Sequence, residues 1–349
     1  MLACAIRTTG DLDRIELLDL PAPSGALAPG QVRVAVYAAA LNHLDLFVVR
    51  GRSPDMPFPH ILGADGAGVV EAVGSGVTRI KPGERVMINP GISDYTCEYC
   101  RAGEHSLCLN FRLLGEHLPG TMAQTVIVPE QNLGIVPPLD PPLSWAEAAA
   151  FSLVTLTAWR MVVSRAAVRT GETVLVWGIG GGVALAALRI AKLQGARVIA
   201  TSSNDAKLAV ARSLGADVVL NHRTQSVASE VRRETAGRGA DVVVEHVGEG
   251  TWEESLRSLA PGGRLVTCGA TAGPNVTTDL RRVFWRQLTI MGSTMGNAAE
   301  YREVVRQLAA GYLRPMVDRV YPLDQARAAF QRLEAGEQIG KVCVQIRSD

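Results

Sequence analysis

Asp94, Cys97, Cys100 and Cys108 lie in one short stretch with the spacing Asp-x2-Cys-x2-Cys-x7-Cys. Three thiolates and a carboxylate so arranged can close a tetrahedral metal site, and with all four donors used no position is left for substrate. Cys97-x2-Cys100 points both sulfurs at one centre, and the neighbours Asn89, Pro90, Gly91, Tyr95, Arg101, Gly103 and Glu104 are polar and turn-rich. The stretch predicts one structural Zn2+ that holds a loop, about residues 90–110, in shape. The competing reading is a set of reduced surface thiols.

A second group of residues could hold phosphate. The apolar run Thr173–Trp177 leads straight into Gly178-Ile179-Gly180-Gly181-Gly182-Val183-Ala184 and then a helical segment, Leu185–Gln194. Strand, glycine turn and helix bring free N–H groups and the positive end of a helix dipole up to a pyrophosphate, which makes Gly180, Gly181, Gly182 and Val183 candidate cofactor contacts. No register gives a strict G-x-G-x-x-G; in the one fixed by the helix, the first and last positions are Ile179 and Ala184. NAD-binding folds usually end their second strand in an acid that grips the ribose. Here the second strand ends in Ser202-Ser203-Asn204, with Lys207 a helical turn on, and His222-Arg223 follows the third. Small hydroxyls beside cations suit a 2′-phosphate, so Ser202, Ser203, Lys207, His222 and Arg223 predict NADPH rather than NADH.

The elements that must position these groups are of two kinds. Gln31–Ala40 is strand-like, and Pro/Gly clusters punctuate the chain to about Pro142, which predicts a mostly-β first part. Ser144-Trp145-Ala146-Glu147 then opens an Ala-rich helix with a capping box. Beyond it, six short apolar strands alternate with amphipathic helices: 173–177, 197–201, 218–220, 240–245, 264–268 and 288–291. That alternation predicts an α/β, doubly wound parallel sheet, whose ligands bind at the strand carboxyl ends. Val247, Gly248, Gly269 and Ser293 fall at such ends. A last apolar run, Lys341–Val344, predicts a strand that returns to the first part.

The chain has 349 residues, and its 35 basic and 34 acidic side chains leave a formal charge of +1. This balance gives no electrostatic case for nucleic acid or an anionic membrane and favours a small-molecule partner. The first residues lack an apolar signal-peptide core, no stretch reads as membrane-spanning, and Cys4, Cys268 and Cys343 sit singly in apolar runs. A cytoplasmic protein with free thiols is expected.

Taken in order, Ala40-Leu41-Asn42-His43-Leu44-Asp45, Pro59-His60-Ile61-Leu62-Gly63-Ala64-Asp65-Gly66, the Asp94–Cys108 lobe, the glycine loop and Gly340-Lys341-Val342 resemble the medium-chain dehydrogenase/reductase superfamily over essentially the whole chain. The resemblance implies a GroES-like catalytic domain, residues 1–153 and 294–349, around a Rossmann domain, residues 154–293. It also implies substrate in the cleft between them, a homodimer or homotetramer, nicotinamide contacts from Gly269 and Ser293, and Lys341 as a further cofactor contact. Zinc alcohol dehydrogenases of the superfamily bind a catalytic zinc through a Cys, a His and a third Cys or acid. Those positions match Asn42, Ala64 and about Leu153 here, none of them a good ligand. Asp94 also replaces the usual first Cys of the structural lobe.

Three functions follow as expectations. The first is NADPH-dependent hydride transfer to a quinone or an α,β-unsaturated carbonyl without catalytic zinc. Asn42 would then donate a hydrogen bond to the substrate oxygen, Asp45 would orient cofactor or water, and His43 or His117 would donate a proton. The second is a zinc alcohol dehydrogenase with unconventional ligands from His43, Asp65 and His117. The third is a non-catalytic nucleotide-binding scaffold.

Overall fold

The computed structural model describes residues 1–52 and 56–348. The chain forms two compact units, Met1–Val154 with Gly296–Asp349, and Thr155–Met295. No helix of the described residues is long and apolar enough to cross a membrane.

The first unit is a GroES-like β domain. Its central strand, Gln31–Ala40, pairs antiparallel with Asp65–Val73 on one side and the C-terminal strand Lys341–Gln345 on the other, and also with Thr125–Pro129. The central strand is rich in small and β-branched residues, and seven of its ten residues are buried. Val32, Val34, Val36, Leu46, Val48 and Phe330 build the core against it, each contributing about 1.5–3 kcal/mol by burial. At Gly68 a side chain is impossible without moving the strand, since a Cβ there would lie 1.9 Å from the Ala35 carbonyl oxygen.

The second unit is a Rossmann-like sheet of six strands, all parallel, in the spatial order Val218–Asn221, Arg197–Ser202, Thr173–Val176, Ala240–Glu245, Leu259–Thr267, Thr289–Gly292. All six expected strands are present. The fifth starts at Leu259 rather than Arg264, because it runs through Gly262-Gly263 with a register shift against Ala240–Val242. Thr173–Val176 is buried throughout, as a central parallel strand covered on both faces must be.

Cys4, Cys268 and Cys343 are free, and burial pushes all three thiols up to about 12. Cys4 and Cys343 are buried and Cys268 is half-buried, and all three are held as thiols.

Candidate functional site

In the first unit, strand register brings distant residues together. Ala40 faces Asp65 on one neighbour and Cys343 on the other, so Asn42 and Lys341 fall opposite each other where the strands end. Lys341 Nζ donates to Asn42 Oδ1 at 2.5 Å and to Asp65 Oδ2 at 3.0 Å, and Asn42 Nδ2 donates to the same Asp65 oxygen at 3.0 Å. The other Asp65 oxygen accepts from the Leu153 N–H at 2.9 Å, in the first turn of the helix Ser152–Trp159. That places the carboxylate at a helix N-terminus, where a negative charge is favoured. Asn42, Asp65 and Lys341 are all buried.

Asp45 sits three residues into the next turn, as the N3 residue of the helix His43–Val49, and its Oδ2 accepts the backbone N–H of Asn42 at 2.7 Å. Its side chain therefore fixes the Asn42 backbone and is fully buried, where the sequence suggested that it orients cofactor or water. Burial pushes the Asp45 carboxyl up to about 7, although the Asn42 hydrogen bond and the Lys341 charge pull the other way. Its Oδ1 has no hydrogen-bond partner among the described residues. His43 is half-buried at the start of the same helix.

His43, Asp65 and His117 do not assemble into a metal-binding group among the described residues. Asp65 is engaged by Asn42, Lys341 and Leu153, and His117 Nδ1 accepts the Leu113 N–H at 3.1 Å. The three residues expected as unconventional zinc ligands are thus not gathered at one point among the described residues. The positions that the resemblance matches to catalytic zinc ligands, Asn42, Ala64 and about Leu153, carry an amide, a methyl group and an aliphatic side chain.

The Asp94, Cys97, Cys100 and Cys108 ligand atoms all lie within 4.8 Å of one another, a spacing that fits one tetrahedral ion. Asp94 Oδ1 accepts the N–H groups of Thr96 and Cys97, and Asn110 Nδ2 holds Oδ2 at 2.8 Å. Cys108 Sγ accepts the N–H groups of Asp94 and Asn110. Backbone N–H groups of Cys100 and Leu109 pull Cys97 below its ordinary value, while burial pushes Cys100 up to about 12. A bound cation is what would hold all three as thiolates.

In the second unit, the sequence-proposed cofactor residues all follow strand carboxyl ends. Gly178–Gly182 follow the strand ending at Val176, Ser202 and Ser203 close the next, and His222-Arg223 follow Asn221. Val247-Gly248 come after Glu245, Gly269 after Thr267 and Ser293 after Gly292. Gly178 takes φ +62°, and the loop is tied down where the Ile179 N–H meets Thr201 O at 2.7 Å. The helix Gly182–Leu193 starts there, with Val183 in its first turn, where helix N–H groups lack intrahelical partners. Lys207 packs across the loop: a Cβ on Gly180 would lie 2.7 Å from its Cδ. Ser202 is buried, with its Oγ accepting the Asn204 N–H at 3.1 Å, while Ser203 and Arg223 are exposed. Burial, with Arg223 nearby, pulls His222 below its usual value, so it is a neutral hydrogen-bonding group beside Thr201 Oγ1 rather than a cation. Ser293 Oγ and Trp177 Nε1 are buried without partners among the described residues, orphan polar atoms that suit a bound cofactor. Lys341 belongs to the first unit, where Asn42 and Asp65 engage its ammonium.

Sequence reasoning missed Glu245. Its buried carboxylate accepts the N–H groups of His246, Val247 and Gly248 and the hydroxyls of Thr251 and Ser255, which fixes the loop leaving the fourth strand. An acid ending an apolar run just before Gly248 was the available signal.

The profile of the zinc-binding dehydrogenase family matches residues 182–310, and that of the alcohol dehydrogenase GroES-like domain matches residues 28–138. The chain belongs to the medium-chain dehydrogenase/reductase superfamily. An acryloyl-coenzyme A reductase of Metallosphaera sedula is 32% identical over 90% of this chain and 92% of its own. A crystal structure of an NAD-dependent alcohol dehydrogenase superposes with TM-score 0.95 at 46% identity, covering 99% of this chain and 100% of that one. A crotonyl-CoA carboxylase/reductase in complex with NADP superposes at 0.92 with 27% identity, covering 100% of this chain and 95% of the other. This superfamily member is thus an oxidoreductase of a family that binds a nicotinamide cofactor and often zinc.

The Asp45 environment has a consequence for stability. Its native pKa of about 7 lies above the ordinary value near 4, so the native state holds a proton that the unfolded chain releases. The resulting stabilisation is complete below about pH 4 and lost as pH rises to about 7. Relative to the wild type, Asp45→Asn should therefore gain roughly 3 kcal/mol between pH 5 and pH 8. Urea unfolding of both proteins at several pH values measures this, and a difference that does not change with pH would refute it.

Proposed function

We propose that this enzyme reduces the carbon–carbon double bond of an α,β-unsaturated carbonyl compound with NADPH and without a catalytic metal. The observation that carries the reading is the Asn42–Asp65–Lys341 network: of the three positions that match metal donors in alcohol dehydrogenases, Asn42 carries an amide tied to an Asp65–Lys341 ion pair, and Ala64 and Leu153 carry no donor. The resemblance to reductases acting on acryloyl- and crotonyl-CoA supports the same reaction class. A quinone is a vinylogous acceptor with the same electronic demand.

The nicotinamide, when bound, would supply the hydride for the β-carbon, and the resulting enolate would take a proton from water at its α-carbon. The protein must hold the acceptor in register and stabilise negative charge on its carbonyl oxygen, for which Asn42 Nδ2 is the donor. Gly180 to Val183 offer backbone N–H groups to the pyrophosphate. Ser202, Ser203, Lys207 and Arg223 present two hydroxyls and two cations to a 2′-phosphate, and His222 adds a neutral hydrogen bond. The similar alcohol dehydrogenase is named NAD-dependent, so cofactor choice here rests on these side chains. Assays with enoyl thioesters, enones and a quinone should give kcat/KM at least tenfold higher with NADPH than with NADH, and no loss of activity on brief chelator treatment. Oxidation of simple alcohols that a chelator abolishes would sink the reading.

Asp94, Cys97, Cys100 and Cys108 hold one structural zinc ion in this proposal. Elemental mass spectrometry should find about one zinc per chain, and Cys100→Ser should remove it and lower Tm. About two per chain would restore a catalytic metal to the reading.

The enzyme is also proposed to be a homo-oligomer. The helix Leu280–Arg286 buries none of its residues and exposes Leu280, Phe284 and Trp285, the last at 82%. The strand after it, Thr289–Gly292, is the edge of the parallel sheet. An unpaired edge beside an apolar helix needs cover, and a second copy can supply it. Light scattering should show a dimer or tetramer for the wild type and a monomer for Trp285→Asp; a monomeric wild type would end this assignment.

A further inference from the structure

We infer that Lys341 is a positioning residue for the reduction proposed above: paired with Asp65, it sets which end of the Asn42 amide can face the substrate oxygen. The inference rests on that proposed reaction. Lys341 Nζ can only donate, and the ionised Asp65 carboxylate can only accept. Asn42 touches both, so its Oδ1 must lie against Lys341 and its Nδ2 against Asp65, as the distances of 2.5 and 3.0 Å show. The reverse orientation would set oxygen against oxygen and N–H against ammonium, in a place where Asn42, Asp65 and Lys341 are all screened from water.

This leaves one hydrogen of Nδ2 for other use. Its nearest protein acceptor is Ala40 O at 3.4 Å, which is long for a hydrogen bond. The Asn42 backbone is held as well, by the carboxylate of Asp45 on its N–H. An amide so fixed at both ends can donate to a developing oxyanion without first reorienting, which is the condition for electrostatic stabilisation of a transition state. The ammonium on Oδ1 also withdraws electron density from the amide and strengthens Nδ2–H as a donor.

The resemblance pointed instead to Lys341 as a cofactor contact. Two measurements separate the roles: the coupling between Lys341 and Asn42 in kcat, and the affinity for NADPH. Because Lys341→Met alone strands the Asp65 charge, the substitution is also made as Asp65→Asn/Lys341→Met, which keeps the site neutral. Asn42→Ala should lower kcat about 100-fold. Asp65→Asn/Lys341→Met should lower it about 10- to 100-fold, with the NADPH Kd from fluorescence titration within about twofold of wild type. Adding Asn42→Ala to that variant should lower kcat no further than Asn42→Ala does alone, because both changes remove one function. A larger kinetic isotope effect with 4-deuterated NADPH should accompany the loss, as hydride transfer becomes slower.

Additive losses would overturn the inference, and so would a loss confined to NADPH affinity, which returns Lys341 to the cofactor. Failure of the neutral variant to fold overturns it too, since the pair would then be structural. A wild type that binds NADPH yet reduces no activated alkene defeats the proposed reaction and this inference together, whereas an active wild type with additive losses defeats only the inference.

Discussion

The Asp65 carboxylate is completely shielded from water, and the first unit can tolerate it only because donors from separate segments meet at its two oxygens. Asn42 comes from the end of the central strand, Lys341 from the start of the C-terminal strand and Leu153 from a helix N-terminus. Thr121 adds a bond to the Asp65 carbonyl at 2.6 Å. A buried charge with one partner removed costs about 3–5 kcal/mol, so these segments cannot separate without a large loss. The ion pair thus joins the two ends of the chain's first unit at the place where the strand register has already brought them together.

The second unit solves the same problem differently. Glu245 is equally buried, but three consecutive backbone N–H groups and two hydroxyls surround it instead of a cation. Such a nest spreads the compensating charge over a loop and so fixes the loop's shape. It holds Val247 and Gly248, and a Cβ on Gly248 would lie 2.3 Å from Gly273 O. Carboxylate and glycine therefore define one strand exit between them, which is the part of a parallel sheet where ligands bind.

Much of this was legible in the sequence, and the reasons are physical. Continuous apolar strands and a glycine turn between strand and helix impose a parallel sheet with little room for alternatives, and the Asp94–Cys108 spacing is local enough to fix a donor cluster by itself. The partners of Asn42 were not legible. Lys341 lies opposite it only through the pairing of strands from opposite ends of the chain, and that register is invisible to spacing. The role of Asp45 was open for a related reason: an acid three residues after Asn42 reads equally well as a ligand contact or a capping group, and its hydrogen bond to the Asn42 N–H shows only in the structure. His117 read as a proton donor or metal ligand; its Nδ1 accepts the N–H of Leu113, a local turn contact that residue type alone does not announce, and this leaves the ring proton on Nε2.

The lobe and the network offer acceptors to positive charge in two forms. In the lobe, loops bring three sulfurs and a carboxylate within 4.8 Å of one another, a donor set that suits a multivalent ion. In the network, the surrounding strands already fix the geometry, and one ammonium is enough to balance one carboxylate. A metal there would need ligands that Asn42, Ala64 and Leu153 do not provide. An ammonium needs only acceptors, which Asn42 Oδ1 and Asp65 supply. The difference also bears on chemistry, because an open metal coordinates the substrate oxygen directly whereas an ammonium with its acceptors satisfied acts through the groups it orients. The same positive charge that in one setting would be a Lewis acid becomes, in the other, the means of pointing an amide.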